Sequence, residues 1–103
     1  MEFTTIEKMA IIFFLGEIME ADSIIDSREV EFMDSMYERL DVQESDLDVL
    51  EMMDLEYSIR VITGMERDKI IFSKDAFEKM ALADGYYHPL EKKMIDSLVS
   101  LGG

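Results

Sequence analysis

The chain has 103 residues, 49% of them hydrophobic, with one proline, five glycines and no cysteine. That is enough apolar material for one compact domain spanning 1–103, and too much for a disordered tail; the missing cysteines exclude disulfides, thiolate zinc sites and cysteine nucleophiles, and suit a reducing cytoplasm. Against 24 acids stand 10 lysines and arginines, a formal charge of −14, which repels nucleic-acid phosphates and anionic membrane surfaces and attracts divalent cations and basic protein surfaces.

Helical periodicity runs through nearly the whole chain, and nothing alternates with period two over a useful length, so the expected class is all-α. Thr4 followed by Glu7 is a capping-box signal and opens a helix over 5–21. Its apolar residues, from Ile6, Met9 and Ala10 to Ile18 and Met19, cover most of its circumference, as in a helix packed on all sides. Gly16 offers a place for a neighbouring helix to approach closely. The early apolar run at 9–15 is short and follows Glu2 and Glu7, where a secretory signal carries positive charge, so no signal is expected and the location expected is cytoplasmic. No apolar run approaches the roughly 20 residues that span a bilayer.

The second helix, 27–40, carries Val30, Met33, Tyr37 and Leu40 as an inward stripe and turns Arg28, Glu31, Asp34 and Glu38 outward. After a polar break at 41–45 come two short helices. The first, 46–53, faces inward with Leu47, Leu50 and Met53; the second, 55–62, is ended by Thr63-Gly64, where glycine suits a left-handed cap. A second long helix follows over 66–84, with Ile70, Phe77, Met80, Ala81 and Leu82 prominent. Pro89 then suits the first position of a last helix with Met94, Ile95, Leu98 and Leu101 on its inner face.

A shift of 62 residues lays the two ends of the chain on each other. Ala21 falls on Ala83, Asp22 on Asp84, Glu29 on Glu91, and Asp34-Ser35 on Asp96-Ser97. Apolar positions agree as well: Ile18 with Met80, Phe32 with Met94, Met33 with Ile95 and Met36 with Leu98. Two amphipathic hairpins can look alike by chance. The alternative is a repeat, near 4–40 and 66–101, of two helix–loop–helix units packed with pseudo-two-fold symmetry and joined by the short middle helices. A lone helical hairpin cannot bury its apolar face, so pairing two is physically sensible.

The repeated loop reads A-D-S-I-I-D-S-R-E at 21–29 and A-D-G-Y-Y-H-P-L-E at 83–91. Asp84-Gly85, five residues and Glu91 match the second half of an EF-hand calcium loop, and Asp22-Ser23 with Glu29 match it with serine for glycine. The first half fails, because Met80 and Leu82, or Ile18 and Glu20, stand where oxygen ligands are needed. What remains is Asp22, Asp26 and Glu29 in one loop and Asp84, His88 and Glu91 in the other. Pooled by pseudo-symmetry, these could hold Ca²⁺ or a similar ion; the imidazole of His88 tilts its loop towards a borderline metal. A capping account stands beside this one. Asp26 and His88 fall where each following helix begins and Glu29 and Glu91 three residues later, so the glutamates can bond the N-cap backbone, with about 0.3–1 kcal/mol from the helix dipole. Asp22 and Asp84 fit less well: each stands at the C-terminal end of a long helix, the wrong end for negative charge, and loop N–H groups or a cation must offset it.

An apolar helix ending in A-D-G, a glutamate after five residues and a further amphipathic helix, once in each half of a small acidic domain, resembles the TerB-like family, which includes the tellurite-resistance TerB proteins and the similar N-terminal domain of the co-chaperone DjlA. The residues that carry the resemblance are Met80-Ala81-Leu82-Ala83-Asp84-Gly85 with Glu91, and more loosely Met19-Glu20-Ala21-Asp22-Ser23 with Glu29. The resemblance covers most of the chain, 4–101, and departs from the pattern at Ser23. It implies a compact all-α bundle of about six to seven helices with internal pseudo-symmetry, and clustered loop acids that serve a cation or a partner.

Among ten methionines, Met9, Met33 and Met80 fall on core stripes, whereas Met52, Met53 and Met65 are better placed for exposure. Tyr86 and Tyr87 are candidates for a partner-binding anchor, or for stapling their loop to the core. His88, the single histidine, has no serine–acid arrangement around it and suits a helix cap better than catalysis. The expected function is therefore non-enzymatic: a TerB-like stress or signalling module that binds a protein partner with a basic surface, and a divalent cation, through two acidic loops. No nucleic-acid binding or membrane insertion is expected, and a homodimer stays open. Two other classes remain, an acidic mimic of nucleic acid that occupies a basic groove, and a metal-dependent hydrolase built on the same carboxylates.

Overall fold

Thr4 and Glu7 close the capping box that their spacing predicts. The Glu7 N–H donates to Thr4 Oγ1 at 3.2 Å, and the Thr4 N–H donates to Glu7 Oε1 at 2.9 Å. In the computed structural model, which describes residues 2–20 and 27–82, this cap opens α1 (Thr5–Glu20). There follow α2 (Ser27–Arg39), a 3₁₀ turn (Glu44–Asp46), α3 (Leu47–Glu51), α4 (Leu55–Thr63) and α5 (Arg67–Ala81). The described residues contain no strand, so the class is all-α. The Cα radius of gyration is 12.6 Å, close to the roughly 13 Å of a compact chain of this length. No helix among the described residues is long and apolar enough to cross a membrane. The last helix expected from Pro89 to Leu101 lies outside the described residues.

α1 is the central helix, as its all-round apolar pattern predicts. It packs against α2, α3, α4 and α5 and buries Met9, Ala10, Ile11, Ile12, Phe14, Leu15 and Ile18. Full burial of each large side chain is worth about 1.5–3 kcal/mol. Phe14 meets Phe77 of α5 with ring centroids 4.5 Å apart and planes tilted by 42°, an arrangement that aromatic pairs favour. Among the described residues none makes the close approach expected at Gly16, where a Cβ would meet no described atom within 4 Å. α4 comes close to α1 at Ala10 and Ser58, both fully buried, where Ser58 Oγ donates to the Ala10 carbonyl at 2.9 Å.

α2 keeps most of the stripe read in the sequence, with Leu40 buried, Met33 and Tyr37 packed on the core, and Arg28, Glu31, Asp34 and Glu38 exposed, but departs from it at Val30. Val30 is 43% exposed, whereas Glu29 and Met36 are buried and Leu40 follows them just past the helix end. Glu29, Met36 and Leu40 share one face at helical spacing, with Phe32 and Met33 packed on the core beside them. The acidic letter at 29 hides that position from a reading by hydrophobicity.

The chain leaves α2 through a Schellman turn. The Asp41 N–H donates to the Glu38 carbonyl at 3.1 Å and the Val42 N–H to the Tyr37 carbonyl at 3.0 Å, with Asp41 in the left-handed region at φ 52°. Gly64, expected to be left-handed, has φ −89° and ψ −2° and ends α4 in a right-handed conformation. The left-handed cap therefore falls to an aspartate, a residue whose short polar side chain tolerates it. In the middle segment Leu47 and Leu50 are half-buried and Met53 is buried. At the end of α5, Phe77, Met80 and Ala81 are buried, but Leu82 is 54% exposed.

Candidate functional site

Of the loop residues singled out in the sequence, Glu29 alone is described; Asp22, Asp26, Asp84, Tyr86, Tyr87, His88 and Glu91 lie outside the described residues. Glu29 is the third residue of α2, in the first turn where the helix dipole favours a carboxylate, and is only 1% exposed. It is not an unpaired charge, and neither is Arg28 beside it. Among the described residues no three His, Cys, Asp or Glu side chains stand together so as to hold a metal ion.

The structure assembles polar groups that no local motif announces. Glu7, besides its cap, receives Lys69 Nζ of α5 at 2.8 Å, with both side chains mostly buried. Burial alone would push the Glu7 carboxyl up, but the Lys69 ammonium and the Thr4 hydrogen bonds together outweigh it and hold the group below its ordinary value. A trace of this pair does exist in the sequence: the 62-residue shift lays Glu7 on Lys69, a residue of opposite charge. Asp46, at the end of the 3₁₀ turn, is buried as well; its Oδ1 accepts from Thr5 Oγ1 at 3.2 Å and its Oδ2 from the Gln43 N–H at 2.9 Å. It ties the middle segment to the start of α1.

Two surface features could recognise something outside the chain. The first is an open depression of about 400 Å³ on α5, lined by Asp68, Ile71, Phe72 and Asp75. Ile71 is 57% exposed there, with Asp68 one turn before it and Asp75 one turn after. Asp75 accepts from Lys79 at 2.9 Å in an exposed pair of small energetic consequence. The second is a cleft of about 570 Å³ bounded by Phe3, Lys8, Arg39, Leu40, Asp41 and Phe72. Phe3 and Phe72 stack at 5.2 Å, tilted by 46°, and two cations flank the rings: Arg39 lies 5.0 Å from the Phe72 centroid and Lys69 lies 5.5 Å from that of Phe3.

Of the methionines proposed for exposure, Met52 is 82% exposed, whereas Met53 and Met65 are each 7% exposed and belong to the core. Of those read as core, Met9 and Met80 are fully buried and Met33 is half-buried against the core.

Comparison of the chain with protein-family models, with curated proteins and with solved structures finds no match.

Proposed function

We propose that the chain is a non-enzymatic, TerB-like stress or signalling module that binds a protein partner with a basic surface, and that its two ends are related helix–loop–helix units. The observation that carries partner binding is the acid-rimmed apolar depression on α5. An exposed isoleucine between two carboxylates suits an apolar anchor flanked by lysine or arginine, and the chain's charge of −14 favours the same approach from a distance. The relation between the ends is supported by Glu7 and Lys69, equivalent under the 62-residue shift and in direct contact at 2.8 Å. Phe14 and Phe77 meet one position off the same register. Equivalent residues of two units touch each other only near a pseudo-two-fold axis, so both contacts fit such an axis between α1 and α5.

The same reading gives the two acidic loops a divalent cation, Ca²⁺ or similar, drawn by Asp22, Asp26, Glu29, Asp84, His88 and Glu91. The sequence supports this part of the proposal, and the near-complete burial of Glu29 suits a packed first turn of α2 at least as well.

Partner binding is tested with two synthetic amphipathic helices of equal apolar content, one rich in lysine and one in glutamate. The basic helix should bind, weaken as salt rises, and lose its affinity for Ile71→Asp protein. Equal binding of the acidic helix, or indifference to Ile71→Asp, would sink the proposal. The cation is tested by calorimetry with Ca²⁺, Mg²⁺, Mn²⁺ and Zn²⁺ on the wild type and an Asp22→Asn/Asp84→Asn variant. Absence of heat and of any thermal shift at millimolar ion removes the cation from the reading and leaves partner binding standing.

A further inference from the structure

The cleft bordered by Phe3, Lys8, Arg39 and Phe72 gathers two of the few cations of a strongly acidic molecule. In a chain with 24 acids for 10 bases, a cation without a carboxylate partner is unexpected. Yet among the described residues neither Lys8 nor Arg39 forms an ion pair. Lys8 Nζ donates to the backbone carbonyl of Asp41 at 3.2 Å. Arg39 lies over the face of Phe72, with Nη1 3.8 Å from Met36 Sδ. A carbonyl, a ring face and a thioether position cationic heads without neutralising them, so their charge and most of their donors stay available. The Schellman turn contributes to this, because the left-handed Asp41 is the residue whose carbonyl receives Lys8.

The rest of the cleft sets what those cations would hold. Its volume of about 570 Å³ lies within the roughly 300–1,000 Å³ of small-molecule sites. The stacked rings of Phe3 and Phe72, with Leu40, give it an apolar wall. Glu2 also borders it, as does the Asp41 carboxylate, whose Oδ1 accepts from Gln43 Nε2 at 2.8 Å. Two acids against two bases make the lining neutral overall, so an anion is held only by the local donors of the two unpaired heads, which one carboxylate can engage and a second charge would not match. The head group that fits is singly charged. We infer that this cleft binds a small amphipathic monoanion, with an aromatic or branched apolar body against Phe3, Phe72 and Leu40 and a carboxylate on Lys8 and Arg39.

The test is a ¹H–¹⁵N NMR titration of the full chain with 3-phenylpropionate, and with its amide and its amine analogue as neutral and cationic controls of the same shape. The carboxylate should give saturable shifts centred on the amides of Phe3, Lys8, Leu40, Asp41 and Phe72, with a dissociation constant on the order of 1 mM. Arg39→Gln and Lys8→Met should each weaken it about tenfold, the scale of one charge-assisted hydrogen bond. Arg60→Gln, on a residue that does not border the cleft, should change nothing. Thermal unfolding of each variant establishes that it is folded, and either of the two cleft variants decides the outcome alone. The inference is overturned by absence of saturation at about 10 mM, by equal or tighter binding of the amide or the amine, or by undiminished binding in a folded cleft variant.

Discussion

Glu7 and Lys69 meet at 2.8 Å between the first turns of α1 and α5, and the same carboxylate accepts the Thr4 N–H that caps α1. One side chain thus fixes both the start of the central helix and the docking of the helix equivalent to it under the 62-residue shift. Its carboxyl is held below the ordinary value of 4.5, so the stability it adds is fully present above about that pH and is lost as pH falls through the lower folded-state value. Between pH 6 and 8 it contributes no slope. Lys69→Met should remove about 1–3 kcal/mol at neutral pH by leaving a mostly buried carboxylate unpaired, and should raise the Glu7 pKa. The deficit then shrinks on acidification, because a protonated Glu7 no longer needs its partner. Urea unfolding of both proteins across a pH series measures this; coincident curves would show that the pair contributes nothing, and curves offset but parallel would show that the loss does not come from Glu7 ionisation.

Asp41 and Gly64 exchange the roles that their residue types suggest. With Asp41 at φ 52°, Asp41→Gly should raise stability by about 0.5–1 kcal/mol, less whatever its exposed bond from Gln43 contributes, whereas Asp41→Val should lower it by about 1–2 kcal/mol. Gly64 has an ordinary φ of −89°, so Gly64→Ala should stabilise by up to about 0.4–1 kcal/mol through the unfolded chain, reduced by a 3.3 Å approach to the Arg60 carbonyl oxygen. A loss above about 1 kcal/mol in Gly64→Ala would mean that the glycine is required for its conformation after all.

These two residues also mark where sequence reasoning worked and where it stopped. The start and the central place of α1 were legible, because a capping box and an all-round apolar pattern are local signals with direct physical causes. The inner face of α2 was legible at Met33, Tyr37 and Leu40 but misplaced at Val30, and it missed Glu29, since the buried position there is a glutamate and periodicity counts it as polar. The left-handed cap was sought at a glycine, but glycine permits φ > 0 without demanding it. As for the sites, the acid-rimmed depression needs Ile71 to face solvent, although on its letter alone it belongs in a core. Lys8 and the Asp41 carbonyl that receives it are 33 residues apart, a separation no motif bridges. The 62-residue shift, which lays Glu7 on Lys69, did pair two residues that meet.

Neighbouring methionines offer a sharp contrast. Met52 is 82% exposed, and Met52→Ala should change stability by less than about 0.5 kcal/mol. Met53 is 7% exposed and packs in the core, so Met53→Ala should cost about 2–5 kcal/mol through lost transfer energy and the cavity left behind. The two melting temperatures, measured side by side, should separate by several degrees. Equal values would mean that the turn after α3 does not hold Met53 inward.

Ser58 reports on how closely α4 lies against α1. Its hydroxyl is fully buried and donates at 2.9 Å to the carbonyl of Ala10, itself a residue with no side chain beyond Cβ. Ser58→Ala removes a donor from a carbonyl inside a helix, one that retains a second lone pair for the ladder, so no buried acceptor is stranded. The loss should be about 1 kcal/mol. Ser58→Val adds volume where α1 and α4 are already in contact and should cost more, about 1–3 kcal/mol, by forcing the helices apart or the side chain off its rotamer. The order of the two variants is the informative result. If valine were tolerated better than alanine, the space between α1 and α4 would be looser than the Ser58–Ala10 distance implies, and the apolar gain of the larger side chain would outweigh the lost hydrogen bond.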